Sequence, residues 1–151
     1  MKKIFLTVTL AMLFAISACD SGVKELEIES DVYHETMDKL SEIIVHDIFS
    51  PPVASRIYAY PSIAMYEVLA KNDAGYQSLA GQLTELSEIP DPKEEVSYDL
   101  AALQAFIKIG TALIFSEADM DAYRDELYEE LGKGVNSDFF EASVAYGDEV
   151  A

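Results

Sequence analysis

The sequence predicts an all-α domain, a helical bundle of about five to six helices behind a cleavable leader. Three observations predict it. Apolar residues recur at spacings of three and four through most of the chain, they make up 50% of it, and only 7 glycines and 5 prolines occur among 151 residues. Such a composition packs a core, unlike a disordered acidic tail.

The leader is expected over residues 1–18. Lys2 and Lys3 form a positive start, and Ile4 to Ile16 is a 13-residue, mostly apolar run, too short for a stop-transfer span. It ends in Ile16-Ser17-Ala18-Cys19, which resembles the lipobox of bacterial lipoproteins. The resemblance implies cleavage before Cys19, acylation of its thiol, and a protein tied to the outer or periplasmic side of a bacterial envelope membrane. Without acylation, the same segment reads as an ordinary secretory peptide. Removing residues 1–18 leaves 8 basic and 28 acidic side chains on 133 residues, a formal charge of -20. Anionic lipid repels such a chain, so its membrane partner is held through acyl methylenes at about 0.8 kcal/mol each. Residues 19–29 are expected to be the acylated cysteine and a polar tether, and residues 30–151 the helical domain.

Within that domain Ser30 or Asp31 caps a helix to about Phe49, with Tyr33, Met37, Leu40, Ile44 and Ile48 on one face. Ser50-Pro51 stops it and starts the next, because serine caps and proline suits the first helical position. Val53 to Ala70 follows, with Ile57, Tyr60, Ala64 and Val68 aligned, and Pro61 in its middle predicts a kink or break. Asn72 to Gly75 is a turn, Tyr76 to Leu86 a weaker helix, and Pro90-Asp91-Pro92 a loop.

Glu95 to Phe115 is the expected centre of the core, apolar nearly all round and carrying only Lys108 as a charge after Leu100. Ser116-Glu117-Ala118-Asp119 has capping-box spacing and opens a helical hairpin whose second helix buries Met120, Tyr123, Leu127 and Leu131 and ends at Gly132 and Gly134. Asn136 or Ser137 caps a last helix with Phe140, Val144, Gly147 and Ala151 in register. No stop signal follows that stripe, so the domain is expected to be incomplete at its C-terminus, with apolar faces covered by a missing C-terminal half or a second polypeptide.

The charge and the residue inventory exclude several kinds of chemistry. With 10 basic against 28 acidic residues the chain has no basic stripe for nucleic acid, and its single cysteine excludes a disulfide framework and a thiolate zinc site. His34 follows Asp31 by three residues and His46 follows Glu42 by four, yet no Glu-x-x-His turn of a dimetal carboxylate site is present. Asp119-x-Asp121 is not a calcium loop, because Arg124 stands where that loop requires glycine. Ser50 and Ser55 lie near His46 and Asp47 without a nucleophile elbow. Arg56 is expected to pair with Asp47 or Glu67, and Tyr58, Tyr60 and Tyr66 to pack between helices.

The stretch from Ile44 to Pro61, and above all Ser50-Pro51-Pro52-Val53-Ala54-Ser55-Arg56-Ile57-Tyr58, resembles the N-terminal helical region of bacterial lipoproteins of the vanadium-dependent haloperoxidase and type 2 phosphatidic acid phosphatase (PAP2) superfamily. Leu100 to Leu127 and Phe140 to Ala151 resemble the segments that follow. The likeness covers nearly all of the mature chain and about the first third of such a family member. It implies a helical fold whose vanadate or phosphate is gripped further along by three motifs, K-x6-R-P, P-S-G-H and S-R-x6-H. None occurs here: neither arginine precedes proline, no Gly-His pair exists, and Ser55-Arg56 has no histidine downstream. No catalytic, cofactor-binding or metal-binding residue therefore carries over, which leaves Cys19 as the one candidate site, a site of lipidation. The expected function is a lipid-anchored helical segment of a haloperoxidase-like or phosphatase-like protein, inactive alone. The alternative is a stand-alone lipid-anchored module that binds another envelope protein.

Overall fold

The computed structural model describes residues 22–151, so the leader and Cys19 lie outside the described residues. Among the described residues five helices form: α1 (Ser30–His46), α2 (Pro51–Asn72), α3 (Tyr98–Ala112), α4 (Glu117–Leu131) and α5 (Ser137–Val150). Among these residues no strand forms, and no helix is long and apolar enough to cross a membrane.

Helix α3 is the axis of the bundle. Its eight residues from Leu100 to Ile107 are all buried, because every side of the helix meets another element. Ser97 caps it, its hydroxyl accepting from the Leu100 N–H at 3.2 Å. Leu40, Ile43 and Ile44 of α1, Ile57 of α2 and Met120 of α4 join Leu100, Leu103, Phe106 and Ile107 in one cluster. Val68 and Tyr146 close a second against Ala101, Ala102 and Ala105. Each of the large side chains so buried stabilises the fold by about 1.5–3 kcal/mol before entropy is counted. Gly147 sets the α3–α5 distance: a Cβ there would lie 2.4 Å from the Ala101 carbonyl oxygen, so only glycine permits that approach.

Helix directions follow from the contacts. The Tyr33 hydroxyl donates to the Asp99 carbonyl at 3.3 Å, which places the start of α1 beside the start of α3. Val68, late in α2, packs on Ala101 and Ala102, so α2 runs antiparallel to α3. The α3–α4 turn makes α4 antiparallel as well. One end of the bundle therefore gathers the end of α1, the starts of α2 and α4 and the end of α3.

Several boundaries differ from the sequence expectation, each for a local reason. Helix α1 ends at His46, and Ile48, expected on the buried stripe, is 88% exposed with φ 58°. There the Phe49 N–H reaches back to the Ile44 carbonyl and the Ile48 N–H to that of Val45, a Schellman closure that needs a left-handed residue at the Ile48 position. Helix α2 runs through Pro61 as one helix of 22 residues, so the expected break is absent. Proline costs roughly 3 kcal/mol inside a helix, and burial of Pro61 beside α3 offsets it.

The expected helix Tyr76–Leu86 does not form. Gly81 and Glu85 take φ of 77° and 65°, which no right-handed helix accommodates, and the Ser78 hydroxyl accepts from the Ala80 N–H at 2.9 Å in a competing local turn. Helix α3 is shorter than the stretch Glu95–Phe115 by residues at both ends. Ser116 precedes α4 without making the expected side-chain cap, since its hydroxyl donates to Asp47 at 2.6 Å. In α5, Asn136 is the cap and accepts from the Phe139 N–H at 3.0 Å. Its buried residues are Phe139, Ser143, Tyr146 and Gly147, so the face is rotated from the expected stripe and Phe140 and Val144 sit at its margin.

The stretch expected as a tether is pinned to the domain from Val23 onward. Val23 donates to the Gly134 carbonyl and accepts from the Asn136 N–H, both at 3.0 Å. Ser97 Oγ then donates to the Leu26 carbonyl at 3.1 Å, and Ile28 is buried. Leu26 and Ile28 alternate with Glu25, Glu27 and Glu29, so an extended run turns its apolar side inward and its acids outward.

Candidate functional site

Besides the buried Thr36–Tyr123 and Ser97–Ser143 bonds, two polar clusters tie elements together through a carboxylate. In the first, the Glu67 carboxylate of α2, only 1% exposed, accepts from the Ser78 hydroxyl at 2.6 Å and from the Leu79 N–H at 2.7 Å. A buried carboxylate is stable when such donors replace water, and here they fasten the long α2–α3 connection to the bundle. In the second, the Tyr128 hydroxyl donates to Gln104 Oε1 at 2.6 Å, and Gln104 Nε2 donates to Asp148 at 2.6 Å, which links α4, α3 and α5. Burial holds the Tyr128 phenol above its ordinary range, with the Asp148 charge adding to it and Arg124 opposing.

Beside Glu67 lies a groove of about 410 Å³. Tyr60 and Ile63 of α2, Ile109 of α3 and Leu113 just after it, Leu83 and Leu86 of the connection and Val150 of α5 wall it. Glu85 stands among these apolar side chains. At the same end of the bundle, Phe49 and Phe115 stack with ring centroids 4.8 Å apart, and Phe115 and Ile48 are 77% and 88% exposed.

The cations do not converge. Lys24, Lys39, Lys71, Lys93, Lys108, Arg124 and Lys133 each pair with a carboxylate, at Glu95, Glu42, Asp91, Glu149, Asp148, Asp121 with Asp125, and Glu130 respectively. Lys93 and Lys108 hold the adjacent acids Glu149 and Asp148, so even where two cations come near one another each is matched by a carboxylate. Arg56 is exposed and pairs with neither Asp47 nor Glu67, contrary to expectation; Glu67 stands about 16 Å further along the same helix and is buried.

His34 and His46 are both exposed on α1, and among the described residues no group of three His, Cys, Asp or Glu is placed to hold a metal ion. Arg124 grips Asp121 and Asp125 at 2.8 Å each. Ser55 Oγ donates to the Pro52 carbonyl, a helix-surface bond. Tyr58 is half-buried at the core margin, Tyr66 donates to the Gln77 carbonyl at 2.8 Å, and Tyr60 faces the groove. Sequence reasoning did not single out Glu67 as an anchor for the connection; the only signal was an acid on the apolar side of α2, near Ala64 and Val68.

No protein-family model matches the chain, and no curated protein matches it. Among solved structures, it is similar to a crystal structure described as the first bacterial vanadium-dependent iodoperoxidase, with 43% identity over 83% of this chain and a TM-score of 0.77. The chain is a partial homologue of a vanadium-dependent haloperoxidase. It spans 31% of that iodoperoxidase's chain, about a third of its length. At this identity the match extends beyond fold to common descent, and the resemblance carried by the Ser50–Tyr58 block stands.

For this haloperoxidase homologue, the implied oxyanion has a simple physical requirement: several cations must point at one place. Among the described residues seven basic groups are committed to carboxylates, and the groove carries Glu67 and Glu85. These side chains do not fit a vanadate.

Proposed function

We propose that this chain is the lipid-anchored helical segment of a vanadium-haloperoxidase-like protein, and that it is inactive alone because the oxyanion site belongs to the polypeptide that packs on it. The observation that carries the reading is the partial match, 43% identical yet spanning 31% of the iodoperoxidase, combined with dispersed and paired cations. Vanadate or phosphate then belongs to the motif-bearing part of such a protein, not to these helices. Anchoring through Cys19 rests on the lipobox-like Ile16-Ser17-Ala18-Cys19 alone.

A second reading, a stand-alone envelope module that binds another protein, is favoured by the exposed Phe115 and Ile48 at one end of the bundle. One experiment separates activity from binding. Purified residues 20–151 are assayed for peroxide-dependent iodide oxidation with millimolar vanadate, and their thermal midpoint is followed in parallel. The expected result is no turnover and no shift in midpoint, since a native-state ligand at saturation must stabilise. Turnover, or a vanadate-dependent rise in midpoint, overturns the proposal.

A further inference from the structure

We infer that Tyr76, on the connection between α2 and α3, is a halogenation site, the side chain of this protein that takes up electrophilic halogen released by a haloperoxidase-like partner. The inference rests on the proposed function, which supplies the halogen, and goes beyond it by naming an acceptor.

Exposure carries it first. Of the nine tyrosines only Tyr60 and Tyr76 are exposed, at 49% and 59%. Tyr76 is also held in place: its ring stands edge-to-face with that of Tyr66, centroids 6.4 Å apart, while its own hydroxyl makes no hydrogen bond among the described residues. The Tyr66 hydroxyl is committed to the Gln77 carbonyl, and Tyr60 lies on the wall of the apolar groove.

The lack of competitors carries it further. Thiols and thioethers consume such oxidants before phenols do. The described residues hold no cysteine, Met120 is fully buried, and Met37 and Met65 are partly buried against the core. Burial also raises the phenols of Tyr33, Tyr123, Tyr128 and Tyr146, which suppresses the phenolate, the form that reacts fastest. Charge adds a filter, because a chain with 28 acidic and 10 basic residues repels anionic iodine species, whereas hypoiodous acid is neutral and reaches the ring.

The step balances. The ring carbon beside the hydroxyl attacks the iodine of hypoiodous acid, so a C–I bond forms as the I–O bond breaks with its electron pair on oxygen. The proton on that carbon then leaves and joins the hydroxide as water. The ring is oxidised, and the iodine reduced, by one electron pair.

The full chain treated with up to one equivalent of hypoiodous acid, prepared from iodine in neutral buffer, tests the site, with peptide mass spectrometry locating the iodine. Monoiodotyrosine is expected first at position 76, next at position 60, and at least fivefold less at each of the other seven tyrosines. Urea that unfolds the chain is expected to erase this order. Tyr76→Phe shifts the label to Tyr60 and leaves the circular dichroism unchanged. Label first on His34 or His46, sulfoxide on methionine before any iodine, or label spread evenly over the tyrosines of the folded chain overturns the inference and leaves the proposed function standing. In the cells that make the protein, supplied with iodide and hydrogen peroxide, the same peptide is expected to carry iodine. Labelling by the reagent without labelling in those cells overturns Tyr76 as a natural acceptor. The proposed function falls separately, on turnover by the chain alone.

Discussion

Asp47, the residue that follows α1, binds Ser116, the residue that precedes α4, across 69 positions of sequence: its carboxylate accepts the Ser116 hydroxyl at 2.6 Å and the Ser116 N–H at 3.0 Å, with the Phe115 N–H at 2.8 Å. One acid thus ties the end of the first helix to the α3–α4 turn. The Ser116 hydroxyl above all, then the Ser116 and Phe115 amides and the nearby His46, hold its carboxyl below the ordinary carboxylate range. A depressed folded-state value means that this contribution is present above the unfolded value and is lost as pH falls through the folded one. Asp47→Asn is therefore expected to be less stable than the parent at neutral pH, and the two to converge in acid, as urea unfolding at pH 7 and at stepwise lower pH measures.

Ile48→Gly is expected to stabilise the protein. Isoleucine in a left-handed conformation is strained by about 1–2 kcal/mol, and a side chain that is 88% exposed has little packing to lose. A gain of about 1 kcal/mol in unfolding free energy is the predicted outcome, reduced by the extra unfolded-state freedom of glycine. A loss of stability would mean that Ile48 makes a contact this fold does not contain.

Glu67→Ala should free the long connection from the bundle. It strands the Ser78 hydroxyl and the Leu79 N–H, and deletion of an acceptor in such a buried site costs about 1–3 kcal/mol per group left unpaired. Hydrogen exchange at the Leu79 amide is expected to accelerate by more than tenfold, and proteolysis near Gly81 to begin before global unfolding.

Alkali should unfold the domain through its tyrosines. Burial, reinforced by Tyr98 and by the charges of Asp91 and Glu149, pushes the Tyr146 phenol up to about 12, and burial followed by Asp99 and by Asp148 raises Tyr33 and Tyr128 as well. With folded-state values above the unfolded one of about 10, stability is full below that pH and falls as pH rises past it. Titration at 295 nm is expected to show part of the nine tyrosines ionising only together with loss of the helical circular dichroism signal.

Cys19→Ala is expected to abolish acyl labelling and to release the chain from membranes. The acidic surface offers no electrostatic substitute for the lipid. Membrane association that survives the substitution, and resists high salt, would refute the anchor.

How much of this was legible in the sequence depends on whether local or distant atoms decide. Helix α3 was readable because its apolar residues surround the whole helix, a pattern that only a central helix tolerates. The Asn136 cap and the Gly132–Gly134 stop were readable because caps are local chemistry. The Tyr76–Leu86 stretch misled, since its leucine spacing is helical while the decisive contact comes from Glu67, more than ten residues upstream. Ser116 misled similarly: its spacing to Asp119 is that of a capping box, and a distant Asp47 takes the hydroxyl. Pro61 gave a sound local penalty that tertiary packing outweighs. For the candidate site, the lack of clustered cations was visible at once, whereas the groove arises from four separate elements and has no linear signature.

The two backbone bonds that clamp Val23 between Gly134 and Asn136 fix where the start of the described chain joins the helices. That corner sits at the foot of α4, a helix of 15 residues and so about 20 Å from the opposite pole, where Phe115 protrudes. Cys19 precedes Gly22 by three residues, a reach of about 10 Å even fully stretched. A fatty chain at that thiol would moor the molecule by a short leash at its α4–α5 corner, and Phe115 would project outboard, into the aqueous space.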